Sequence, residues 1–143
     1  MNEKLLREKF GGKAEAVMEF ISAAEDIILN AEPFVIWDVQ ADAKQVWARG
    51  YPSGREDEDA MLHYVGPRIG VKGELSGGRR ADPEHLADLR PIMKPAAAAA
   101  RKAGCILWAY FTKEGILNWV SAGRQVAVIN TKTSQNEEDP NLE

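Results

Sequence analysis

The run Cys105, Ile106, Leu107, Trp108, Ala109, Tyr110, Phe111 is apolar at every position. Successive side chains of a strand point to opposite faces, so a run of this kind asks for cover on both. It is predicted to be an interior strand near the centre of the fold. Thr112-Lys113-Glu114-Gly115 follows, with glycine where a type I turn with a bulge needs positive φ, so Ile116 to Ser121 returns antiparallel. A second turn at Ala122-Gly123-Arg124 then leads into Gln125 to Asn130 as a third strand.

The rest of the chain is read outward from this meander. Asn2 caps a short helix carrying Leu5, Leu6 and Phe10, which Gly11-Gly12 ends or hinges. From Lys13 to Ala31 the positions Val17, Phe20, Ile21, Ala24, Ile27 and Ile28 recur at helical spacing, leaving one apolar and one wet face. Pro33 stops that helix. Phe34 to Gln40 alternates as a strand with Val35, Trp37 and Val39 on one side, and Gln45 to Tyr51 returns beside it. Ser53 and Glu56 have capping-box spacing, acids fill the first turn and Gly66-Pro67 supplies a stop, so a helix is expected between them. Arg68 to Ala81, rich in glycine and basic residues, reads as a loop. Asp82 and Pro83 start a further helix carrying Leu86 and Leu89; Pro91 and Pro95 predict a kink or break, with a second part from Ala96 to Ala103 closed by Gly104.

These elements define an α+β fold: a mostly antiparallel sheet of about five strands, two hairpins plus a C-terminal strand, with helices packed mainly on one face. Residues 1–130 form a single globular domain, and 131–143 read as a disordered acidic tail. A helix followed by a hairpin occurs twice, with Trp37 and Trp47 in one hairpin and Trp108 and Trp119 in the other, yet the halves share little identity and no steady period. No apolar run is long enough to span a membrane and no secretory leader is recognisable, so the expected location is the cytoplasm. A net charge of −4 opposes nonspecific binding to nucleic acid or an anionic membrane. One cysteine, Cys105, allows neither an internal disulfide nor a cysteine zinc site.

Three groups of residues have chemistry to offer. Trp37, Trp47, Trp108 and Trp119 present indole faces that could line a pocket for a planar or cationic ligand; their strand positions also suit packing in a core, the simpler reading. Arg68, Lys72, Arg79 and Arg80 lie on glycine-rich backbone that can approach a phosphate, although the segment lacks the G-x-x-x-x-G-K-[ST] pattern and Asp82 and Glu84 follow it. His63 and His85 are the only imidazoles; with Asp59 and Asp88 near one helical turn away they form a weak metal-binding candidate, and alone they are acid–base candidates. No cofactor is implied. The pattern points to a small cytoplasmic binding or interaction protein without catalytic activity, homodimeric through an uncovered apolar sheet face, with an aromatic-lined pocket for a small or anionic ligand. The competing class is an enzyme acting on a phosphorylated or nucleotide-like substrate through the 68–80 segment and a histidine.

Overall fold

A computed structural model describes residues 2–31, 34–52, 62–66, 72–75, 79–80 and 90–130, with side chains over 2–31, 35–50 and 91–130. The described residues form three α-helices and one antiparallel sheet. Helix α1 spans Glu3–Phe10, α2 spans Ala14–Leu29 after a 3-10 turn at Gly11–Lys13, and α3 spans Arg90–Ala103. The strands are β1 (Phe34–Ala41), β2 (Val46–Pro52), β3 (Leu62–Gly66), β4 (Lys72–Leu75), β5 (Arg79–Arg80), β6 (Leu107–Phe111), β7 (Leu117–Ala122) and β8 (Gln125–Val128). Their order across the sheet is β5-β4-β3-β2-β1-β6-β7-β8. The five expected strands lie side by side as β2-β1-β6-β7-β8, and the fold is α+β with helices against the sheet.

Local chemistry accounts for most of the boundaries. Asn2 accepts the Leu5 N–H at 3.1 Å and so satisfies one free amide at the start of α1. Gly11 takes φ +55 at its end, letting the chain turn directly into α2. At the β6–β7 turn Gly115 has φ +84, and its N–H donates to the Thr112 carbonyl. Gly123 opens the two-residue β7–β8 turn with φ +60, the sign that both primed hairpin turns require there.

The core lies between the helices and one sheet face. Phe20, Ile21, Ala24 and Ile27 of α2 and Met93, Ala96 and Ala100 of α3 pack over Ile36, Val39, Leu107, Phe111 and Val120, all buried. Each large side chain removed from water here contributes about 1.5–3 kcal/mol. The small residues of α3 let it lie close to α2 and the sheet. That helix is continuous where a break was expected: Pro95 sits in its second turn, on an exposed face, and withdraws only the N–H that the Pro91 carbonyl would accept. The apolar face of α3 offsets this loss.

Two expectations fall to the sheet. Leu62–Gly66 is a strand, although the capping signals upstream predicted a helix running to Gly66. Those signals sit at Ser53 to Asp59, outside the described residues, whereas His63 and Val65 alternate with Leu62 and Tyr64 at strand period and β2 offers them a partner edge. Likewise 72–75 and 79–80, expected as loop, pair as β4 and β5. The helix start at Asp82 and the tail 131–143 lie outside the described residues.

β1 departs from simple alternation. Ile36 pairs with Gly50 and Asp38 with Arg49, so Trp37 is an inserted residue, a bulge. Ile36 and Val39 therefore face the core, while Trp37 and Asp38 both leave it; the expectation that Trp37 and Val39 share a side fails for this reason. Gly50 permits the close approach, since a Cβ there would collide with the Val35 carbonyl.

Candidate functional site

The sheet face turned away from the helices carries the site. Along β6 the residues Leu107, Ala109 and Phe111 are buried in the core, and Trp108 and Tyr110 alternate with them on the other side, only half-buried. This explains a run apolar throughout: its two faces serve different layers. Trp47 and Arg49 of β2, Trp119 and Ser121 of β7, and Val126 and Val128 of β8 share that outer face. None of the four tryptophans belongs to the helix-side core.

At its centre is a buried carboxylate. Asp38 is 3% exposed, and its Oδ2 accepts from both Nε (2.6 Å) and Nη2 of Arg49 on the neighbouring strand. Its Oδ1 accepts from Trp108 Nε1, reached diagonally across the β1–β6 ladder. Three N–H donors, two from a guanidinium, satisfy a charge that burial alone would make costly. The Arg49 guanidinium also lies 5.1 Å from the centre of the Trp37 ring. In contact with both Asp38 and Trp37, it still leaves 38% of its side chain exposed. Two of its five N–H groups go to Asp38, leaving three turned elsewhere.

Beyond Asp38 the aromatic rings form a row. Trp37 and Tyr110 have centroids 5.4 Å apart, Tyr110 and Trp119 stack at 5.6 Å and 14°, and Trp119 meets Trp108 edge-on at 5.4 Å. An indole face, the surface expected to receive a ligand, is occupied at Trp37 by Arg49 and at Trp119 by Tyr110. The row is thus a continuous aromatic surface beside the guanidinium.

Register extends this arrangement over the whole sheet. Arg80, Glu74, His63, Arg49, Asp38, Tyr110, Trp119 and Val128 stand opposite one another on eight successive strands. The adjacent row on that face runs Lys72, Val65, Trp47, Gln40, Trp108, Ser121, Val126. Lys72, Arg80 and His63 thus occupy positions on the face of the tryptophans, while Arg79, opposite Leu75, belongs to the other parity. Arg68, Asp59, His85 and Asp88 lie outside the described residues, and among the described residues no group of three or more His, Cys, Asp or Glu could hold a metal ion. Asp38, Arg49 and Tyr110 were not singled out by sequence. The available signal was a single charge inside each of two otherwise strand-like runs. Compared with protein-family models, curated proteins and solved structures, the chain has no match.

Proposed function

We propose that this chain is a small binding protein without catalysis of its own, and that its ligand is a planar anion lying on the outer sheet face. The observation that carries the reading is Arg49: a partly exposed guanidinium in contact with Asp38 and Trp37, beside a row of aromatic rings. Fixing the fork in advance lowers the entropy lost on binding. The rings of Tyr110 and Trp119 supply an aromatic surface for a planar ligand, and positions Lys72, His63 and Arg80 follow in register on β4, β3 and β5. The reading includes a homodimer in the cytoplasm; a free cysteine, Cys105, fits a reducing compartment.

A calorimetric and tryptophan-fluorescence titration with 2-naphthoate and with a nucleoside monophosphate tests it. Binding of at least one is expected, weakened about tenfold or more by Arg49→Lys, which keeps the charge but loses the fork. No binding of either, or binding indifferent to Arg49→Lys, overturns the reading. A second reading rests on His63 standing opposite Arg49 in register, where an acid–base group would meet an anion held by Arg49. It makes the chain an enzyme on a phosphorylated or nucleotide-like substrate, and turnover of the bound monophosphate that His63→Gln abolishes would favour it.

A further inference from the structure

The sheet's two edges are treated differently. On one side β5 is two residues long and both are arginine, a short, charged edge that discourages pairing. On the other, Gln125-Val126-Ala127-Val128 carries no charge and no proline, and continues into Ile129-Asn130. Val126 and Val128 are 46% and 44% exposed. The Ile129 N–H donates to the Asn118 carbonyl at 2.8 Å, which flanks Trp119 and Val128 as a non-hydrogen-bonded pair. By alternation the N–H and C=O of Val128 and of Val126 point away from β7, and among the described residues neither has a partner there. The sheet itself contains a precedent. On each side of the β1–β6 junction the first three strands follow in chain order, so β8 holds the place in the second half that β3 holds in the first, and β3 carries a further antiparallel strand, β4.

We propose that a second copy of this chain fills that place, β8 pairing antiparallel with its own counterpart about a two-fold axis at Ala127. Both outward-facing residues are then used: Val126 of each copy forms a hydrogen-bonded pair with Val128 of the other, giving four backbone bonds. The two Ala127 residues meet as the closer, non-hydrogen-bonded pair, where a small side chain fits. Arg124 falls opposite Asn130 and Gln125 opposite Ile129, so no like charges oppose. The exposed valines come together on the outer face and extend its aromatic half across the axis. The proposal gives the homodimer of the functional reading its surface and rests on that part of the reading alone, not on any ligand.

Sedimentation of the full chain at high micromolar concentration is the test, with amide hydrogen exchange beside it. The wild type is expected to be dimeric, with the Val126 and Val128 amides protected. Substituting Val126→Lys together with Val128→Lys sets like charges opposite each other twice and should raise the dissociation constant about a hundredfold or more, with unchanged circular dichroism. Val126→Lys with Val128→Glu sets opposite charges at the same places and should restore the dimer, as a loss through misfolding would not. A wild-type monomer overturns the proposal, and if its Val126 and Val128 amides are protected, the chain's own residues after 130 cover the edge. A dimer indifferent to the charge pair, or one with both amides unprotected, overturns it equally. Naphthoate or nucleotide binding persisting in a monomer would leave the ligand reading standing.

Discussion

The halves α2-β1-β2-β3 and α3-β6-β7-β8 follow the same order of elements and share one core, yet they dress the outer face in opposite ways. The first sets charge beside its two tryptophans, Trp37 and Trp47: Asp38, Arg49 and, by register, the position of His63, continued by those of Glu74 and Arg80 on β4 and β5. The second contributes rings and aliphatic groups: Trp108, Tyr110, Trp119, Val126 and Val128. The difference shows where a two-layer fold is constrained. Positions under the helices must be apolar and of fitting volume, whichever half they come from, because they fill a common interior. Positions on the other face answer only to their cross-strand neighbours and to whatever binds there, so one half can carry charge among its rings while the other carries none.

The largest expected effect tests whether the halves are one cooperative unit. Phe20 on α2 and Phe111 on β6 are both buried to within 1% and belong to different halves. Phe20→Ala and Phe111→Ala should each lower stability by about 3–5 kcal/mol, the range for emptying a buried phenylalanine site. Both variants should unfold in one transition, seen alike by tryptophan fluorescence and far-ultraviolet circular dichroism. Two separated transitions, or a loss confined to one spectroscopic signal, would show that the halves fold apart.

A smaller effect tests the seam between the two halves. Asp38 joins them, accepting from Arg49 on one side and from Trp108 on the other. Asp38→Ala should cost about 1–3 kcal/mol in urea denaturation, the range for a hydrogen-bonded charge. It should stay below the loss typical of a fully buried ion pair, because the exposed guanidinium regains water when its partner goes. Asp38→Asn, which keeps an acceptor, should cost less than Asp38→Ala. Equal losses would mean that the carboxylate acts through volume alone.

How much of this was legible follows from the range of each signal. The meander of 105–130, the cap at Asn2 and the turns at Gly115 and Gly123 are written in neighbouring residues, and sequence placed them within a residue or two. The strand at Leu62–Gly66 was obscured by strong helix-start signals just upstream, since a capping box announces a beginning and not a length. The bulge at Trp37 left no local mark. Its cause is tertiary, the need to bury both Ile36 and Val39 against the helices while Gly50 admits the backbone, and it alone turns Asp38 toward Arg49. Of the candidate site, sequence singled out the tryptophans but not Asp38, Arg49 or Tyr110, and not the constellation they form. Which residues meet was decided by register across strands far apart in sequence.

The smallest expected effect asks what joins the two helices above the sheet. Lys102 on α3 donates to Glu19 on α2 at 2.8 Å, the described ion pair between the helices of the two halves. Both side chains are about half exposed, so ordering them costs entropy and water screens their attraction. If buried packing of Met93 and the alanines of α3 holds the helices together, Lys102→Met should leave the neutral-pH denaturation midpoint where it is. Whatever the pair contributes must fade at alkaline pH. The hydrogen bond to Glu19, aided by the Glu19 and Glu15 charges, raises the Lys102 pKa above its ordinary 10.5, so the folded state holds this proton more tightly than the unfolded one. Any contribution from the pair is thus fully present below 10.5 and disappears as the pH climbs through the raised value. Wild type and Lys102→Met should coincide there, and a double-mutant cycle with Glu19→Gln should give a coupling near zero at neutral pH. A large coupling at neutral pH would mean that the surface pair, and not the shared core, aligns the two halves.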